Sequence, residues 1–249
     1  MCLIVFGWQA HPEYPLVVAA NRDEFHDRPT RAAARWSDYP QVIGGVDLQA
    51  GGTWLGISDS GRFAAVTNVR EPKMVPSVHS RGALTRNFLI SDQSAETYAK
   101  EIKGNDYAGY NLLLGDGKSL VYCSNRANET KVLPPGVYGL SNHLLDSAWP
   151  KLIKARQQFS TALQQAPYEA AFFELLSDQA IVDDASLPNT GVPLEWERLL
   201  SAVFVQSKNY GTRASTVVIQ QNHGQMTLSE RSYGAEGNLL QSSVISTSV

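Results

Sequence analysis

The sequence predicts an α+β fold in which two mainly antiparallel sheets lie between helical layers. Three observations carry that expectation. β-prone runs come in pairs about short turns, helical periodicity is confined to two blocks, and strands do not alternate regularly with helices as a parallel sheet requires. No internal repeat or low-complexity linker divides the chain, so residues 1–249 are expected to form a single domain.

In order along the chain, residues 2–9 and 16–20 are apolar and β-prone, and His11 to Pro15 turns between them, which predicts an opening hairpin. Gly51 to Ser58 and Phe63 to Val69 form a second pair about Asp59-Ser60-Gly61, with glycines at 44–45 and 51–52 where backbone turns or approaches closely. Ser80 and Ser94 are the expected N-caps of two helices ending near Ser91 and Lys103. Tyr110 to Gly115 and Leu120 to Ser124 flank Asp116-Gly117, a hairpin signal, and Val137 to Ser141 adds a short strand. Apolar periodicity then predicts helices near 148–165, 168–178 and 194–205. Ser215 to Gln221 and Met226 to Tyr233 make a last hairpin, followed by a Ser-rich tail, 241–249, expected to fray.

Hydrophobic residues make up 43% and charged residues 18%, enough for a sizeable core and too apolar for a disordered chain. Lys plus Arg number 21 against 24 Asp plus Glu, so no overall basic field favours nucleic acid or an anionic membrane. The longest apolar stretch, Cys2 to Trp8, is far shorter than the roughly 20 residues of a membrane helix. It also lacks the basic start of a secretory leader, and a soluble cytoplasmic protein is expected. Cys2 and Cys123 make no disulfide framework and match no metal-binding spacing; no metal site is predicted.

Cys2 is the residue with the most chemistry. Removal of Met1 would place a thiol and a free α-amine on one carbon, with ordinary pKa values near 8.5 and roughly 8, so the amine can take the thiol proton. The plain alternative is a small apolar residue on a first strand. Asn21-Arg22-Asp23-Glu24 leaves the second strand beside the start of the first. There Arg22 can lower a thiol pKa, and a carboxylate from Asp23 or Glu24 can hold an ammonium. Alternation in an extended segment puts Glu24 on the side of Arg22 and Asp23 on the other. Asn68 and Asn142 end strands and are candidate oxyanion donors, or turn caps. Arg213 precedes the last hairpin and can clamp a carboxylate or merely cover the sheet.

Taken together these segments resemble the NRDE family. The resemblance rests on Met1 to Phe6, Ala20 to Phe25, Gly51 to Gly56, Val66 to Arg70, Ser80-Arg81-Gly82, Leu140-Ser141-Asn142 and Thr212-Arg213, and covers nearly the whole chain. It implies an N-terminal nucleophile (Ntn) hydrolase-like fold, a four-layer αββα sandwich. A more distant similarity is to cysteine Ntn amidases of the choloylglycine hydrolase group, whose site positions Cys2, Arg22, Asn68, Asn142 and Arg213 match in order. One departure stands out: the acidic residue those amidases carry three positions after the arginine falls here on Phe25, with Asp23 and Glu24 in its place.

The resemblance implies two functions. One is intracellular haem binding and trafficking, in which a small hydrophobic carboxylate such as haem is cargo rather than a catalytic cofactor. Asn21, Arg22, Glu24, His143 and Arg213 are then the expected ligand-binding residues. The other is a Cys2-dependent amidohydrolase or acyl-transfer enzyme, with Cys2, Arg22, Asp23, Asn68, Asn142 and Arg213 as the catalytic set.

Overall fold

A computed structural model describes residues 2–71 and 77–248. The opening hairpin comprises β1 (Cys2–Trp8) and β2 (Leu16–Phe25). Next come β3 (Thr30–Arg35), β4 (Val42–Asp47), β5 (Leu55–Ser58) and β6 (Phe63–Asn68). Two helices follow, α1 (Gly82–Leu89) and α2 (Ala95–Glu101). Then come β7 (Tyr110–Gly115), β8 (Leu120–Ser124), β9 (Glu129–Val132) and β10 (Gly136–Leu140). A helical group, α3 (Pro150–Leu163), α4 (Glu169–Leu176) and α5 (Leu194–Leu199), leads to β11 (Tyr210–Gln220), β12 (Met226–Tyr233) and β13 (Leu239–Ser246).

The strands form two antiparallel sheets, one ordered β10-β1-β2-β11-β12-β13 and the other β3-β4-β5-β6-β7-β8-β9. Three apolar clusters glue four layers. Phe6, Val18, Ile57 and Leu113 meet between the sheets. Leu3, Val5 and Val217 meet Phe159 and Phe172 of α3 and α4 behind the first sheet. Ala64 and Leu112 meet Leu84 and Phe88 of α1 behind the second. This αββα sandwich explains why β1 is buried at all seven positions and reads as one apolar run: both of its faces are covered. Burying each such Leu, Val or Phe contributes about 1.5–3 kcal/mol against the entropy of ordering the chain.

Four expectations need correction. The polar tetrapeptide Asn21 to Glu24 does not leave β2 but continues it, because β1 and β11 pair with it on both sides. The tail does not fray from Gln241: β13 pairs with β12 through Ser246, and Arg35 Nη2 donates to Ser246 O at 2.9 Å. Ser80 is not the N-cap of α1; Arg81 occupies that place, and Ser80 Oγ accepts from Gly82 N. The third helix of the late group stops at Leu199, after which 200–205 is held in non-helical form by Lys151, Asn21 and Thr212. Ser94, by contrast, caps α2 and accepts from Thr97 N.

Candidate active site

Cross-strand register sets the floor of the site. Cys2 lies opposite Arg22, Arg22 opposite Ala214, Ala214 opposite Ser232, and Ser232 opposite Gln241. Residues opposite one another share a face of a sheet, so these five side chains form a row across five strands. All five line a cavity of about 820 Å³. Two residues along, Ile4 and Ala20 are packed in the core between the sheets. The cavity therefore continues the gap between the sheets at the end where that core stops.

The main-chain nitrogen of Cys2 donates to Asn142 Oδ1 at 3.2 Å, and Cys2 O accepts from Ser141 Oγ at 2.9 Å. Asn142 Nδ2 donates in turn to Asn68 Oδ1 at 2.8 Å and Asn68 O at 3.1 Å. Asn142 is fully buried beneath the site, whereas Asn68 lines the cavity. Of the two predicted donors, Asn142 positions the start of β1 and Asn68 faces the ligand space. Met1, whose removal the Cys2 chemistry requires, lies outside the described residues. Burial pushes the Cys2 thiol pKa up, and the Arg22 guanidinium opposes that rise.

Strand alternation sorts the acidic pair as expected. Glu24 Oε2 is 3.9 Å from Arg22 Nη2 and 3.7 Å from Arg28 Nε, and Arg28 pairs with Asp47 at 2.7 Å. Asp23 turns to the helical side, where its Oδ1 accepts from Thr212 Oγ1 at 2.8 Å and its main-chain O from Tyr210 OH at 3.1 Å. Burial raises the Asp23 pKa, partly offset by the charge of Lys151. Arg213 sits on a bulge, where the register of β11 against β2 shifts between Thr212 and Ala214. That bulge aims its guanidinium into the cavity lining, where Nη1 donates to Phe25 O at 2.7 Å and Arg28 O at 3.2 Å.

Two expected ligand contacts do not join the cavity. Asn21 shares the face of Asp23 and is fully buried; its Nδ2 donates to Leu176 O and Val203 O, and Ser215 Oγ donates to its Oδ1. Its polar capacity is absorbed in tying β2 to the helices. His143 is exposed beyond the Asn142 turn, with its ring 5.9 Å from that of Trp149. It is absent from the cavity wall, since the chain bends after β10 and leaves His143 at the surface.

Five residues in or beneath the site escape sequence reasoning. Lys151 on α3 is buried, donates to Leu200 O at 2.7 Å, and has its pKa lowered to about 8 by burial. Arg70 and Glu197 form a buried ion pair at 2.6 Å beneath the site. Glu230 lines the cavity and bridges the sheets, accepting from Ala33 N at 2.7 Å; burial raises its pKa. Arg81 also lines the cavity, and its charge is felt at Cys2 and Glu24. Arg81 and Arg70 stand within motifs quoted above, but neither Lys151 nor Glu230 carries a local signal, since only packing makes them buried.

No helix of the described residues is long and apolar enough to cross a membrane. Among them no cluster of His, Cys, Asp and Glu can hold a metal ion. By fold, the chain is similar to the C2A mutant of conjugated bile acid hydrolase from Clostridium perfringens, with a TM-score of 0.54 at 10% identity, over 98% of this chain and 92% of that one. By sequence it is 38% identical to the Transport and Golgi organization protein 2 homolog of Bos taurus, covering 93% of each chain. It is 35% identical to the Homo sapiens homolog, again over 93% of each, and 29% identical to the Drosophila melanogaster protein, over 91% of this chain and 90% of that one. The profile of the family described as Transport and Golgi organisation 2 matches residues 1–235. With that span matched and the Ntn-hydrolase-like sandwich beneath it, the chain belongs to the Transport and Golgi organisation 2 family.

Proposed function

We propose that the protein is a Cys2-dependent hydrolase of an acyl carbon–nitrogen bond other than a peptide bond. One observation carries the reading: the Cys2 side chain lines the cavity while its main-chain nitrogen is held by the Asn142 side chain. After loss of Met1 that nitrogen is the α-amine. It takes the thiol proton as Sγ attacks the acyl carbon, and the C–S bond forms while the carbonyl electrons move to oxygen. Asn68 supplies the oxyanion contact, an interaction that is worth about 3 kcal/mol when well aimed. Collapse expels the amine, which takes the proton from the ammonium and leaves a thioester on Cys2. Water, deprotonated by the α-amine, then releases the acid and restores the thiol. Asp23 balances the ammonium in this scheme, because Glu24 already serves Arg22 and Arg28. This reading assigns the chemistry to the cytoplasm, a compartment that suits the free thiols of Cys2 and Cys123.

Release of amine from a panel of small N-acyl amides tests this, alongside intact mass of the mature chain. Expected are a chain lacking Met1, measurable release, and its loss in Cys2→Ala. Turnover that survives Cys2→Ala, or a mature chain that keeps Met1, overturns the reading.

A second reading is reversible binding of haem for trafficking. It is favoured by the cavity, whose volume lies within the usual 300–1,000 Å³ or so of ligand sites, and by walls that combine Trp54, Trp196 and Tyr233 with Arg22 and Arg213. A flat hydrophobe with two carboxylates suits that mixture. Titration with haem is expected to give a saturable Soret change that competes with amide turnover; no saturable change removes this reading.

A further inference from the structure

We infer that Arg81 and Arg213 form an oxyanion-binding subsite in the Cys2 cavity, taking a carboxylate or phosphate group that the ligand carries besides its acyl carbon. The inference rests on reading the cavity as the ligand site and specifies which ligands it takes.

Charge accounting around the cavity leads there. Arg22 and Arg28 share Glu24, Arg28 also has Asp47, and Arg70 has Glu197. Arg31, Arg81 and Arg213 line the same cavity and form no ion pair among the described residues; Arg31 is exposed, which leaves Arg81 and Arg213. Each is instead fixed by main-chain carbonyls: Arg81 Nη1 donates to Gly109 O at 3.1 Å, and Arg213 Nη1 to Phe25 O and Arg28 O. A carbonyl orients a guanidinium without neutralising it, so two positive charges are held in place and left for a mobile anion. They also come from different layers. Arg81 precedes α1 behind the second sheet, and Arg213 rides the bulge of the first, so a ligand between them is gripped from both sides. Partial burial works against both charged forms, a cost that a bound oxyanion removes. Arg22 is less suited, since its row neighbour is Cys2 and its charge is shared with Glu24.

The thiol itself is the probe. Iodoacetate and iodoacetamide alkylate a thiolate in the same way, with the carbon–sulfur bond formed and iodide expelled, but only the first carries a carboxylate. Rates at Cys2 are read by peptide mass, separately from Cys123, whose thiol burial pushes up to about 12. Normalised to free cysteine, iodoacetate is expected to be favoured by about tenfold, the factor one charge-assisted hydrogen bond supplies. Arg81→Met and Arg213→Met are each expected to bring the iodoacetate-to-iodoacetamide ratio toward one; a change in Cys2 reactivity common to both reagents cancels in that ratio. Acetate and inorganic phosphate, added separately at constant ionic strength, show by protection which oxyanion fits. A wild-type ratio near one, or a ratio unmoved by both substitutions, overturns the subsite. If Cys2 resists both reagents, quenching of Trp54 and Trp196, which line the cavity, decides the matter. Saturable binding of acetate or phosphate that Arg81→Met abolishes keeps the subsite and removes the nucleophile reading; no saturable binding removes the subsite.

Discussion

Asn142 Oδ1 accepts the main-chain N–H of Cys2 at 3.2 Å, and through its amide nitrogen the same side chain reaches Asn68 Oδ1 at 2.8 Å. Asn142 follows β10 of one sheet and Asn68 ends β6 of the other, so one buried amide ties the sheets together under the nucleophile. Asn142→Ala leaves the buried Cys2 N–H without this partner and is predicted to cost about 1–3 kcal/mol, the penalty of one unmet buried donor. Activity is expected to fall further than stability explains, because the α-amine is no longer aimed. Denaturant unfolding and amide turnover at a temperature where the variant remains folded check both halves; full activity in the folded variant sinks the positioning role.

The buried pair beneath this splint behaves differently. Arg70 Nη1 is 2.6 Å from Glu197 Oε2, Thr190 donates to Glu197 Oε1 through its main-chain N and its hydroxyl, and the guanidinium lies 4.7 Å from the Trp149 ring centre. Removing one partner strands a charge, so Glu197→Ala is predicted to cost about 3–5 kcal/mol. Arg70→Met combined with Glu197→Leu is predicted to cost distinctly less. Calorimetric or denaturant unfolding of the set decides it; a double variant as unstable as the single one contradicts the account.

How much of this was written in the sequence varies by residue. Paired β-prone runs and two helical blocks were enough for the sandwich, because hydrophobic period and turn residues act locally. Alternation likewise predicted that Glu24 would stand with Arg22. β3, β4, β9 and β13 were missed: Thr30 to Arg35 has no apolar alternation, the exposed β9 pairs only with β8, and the Ser-rich β13 is a strand only because β12 offers it an edge. Asn21 sits in the family tetrapeptide beside Arg22, yet the pleat turns it to the helices, where it stabilises rather than binds. Lys151 carries no local signal in the sequence, because its ammonium is covered by the distant 200–205 segment, whose Leu200 and Ala202 carbonyls accept from it.

That coverage makes Lys151 a pH probe. Its ordinary pKa of 10.5 is lowered to about 8, so the folded protein disfavours the charged form while the unfolded chain does not. Below about pH 8 both states hold the proton and a penalty of about 3 kcal/mol is fully present; from there to about 10.5 the native lysine is neutral and the penalty is relieved. Lys151→Met removes it but leaves two carbonyls unmet, so a net stabilisation of about 1 kcal/mol is predicted near neutral pH. The difference should shrink and reverse as pH rises. Parallel denaturation of both proteins near neutral and near pH ~10 measures it, and a difference independent of pH refutes the titration.

Gly51 and Gly52 offer a sharper contrast, since both have positive φ, at 70° and 81°. A Cβ on Gly51 meets nothing within 4 Å, whereas one on Gly52 falls 2.2 Å from Gly82 O, the carbonyl that also accepts from Thr53 N at 3.3 Å. Gly51→Ala therefore carries only the left-handed backbone penalty, about 1–2 kcal/mol. Gly52→Ala adds the collision and is predicted to lose about 3 kcal/mol or more. The relief available is to push the start of α1 outward, and Arg81 precedes Gly82 directly. Gly52→Ala is thus predicted to reduce the iodoacetate preference at Cys2 under conditions where it is still folded, while Gly51→Ala leaves that preference unchanged. Equal stability losses in the two variants would mean that the seam between Gly52 and Gly82 is loose, and Arg81 would then need another anchor.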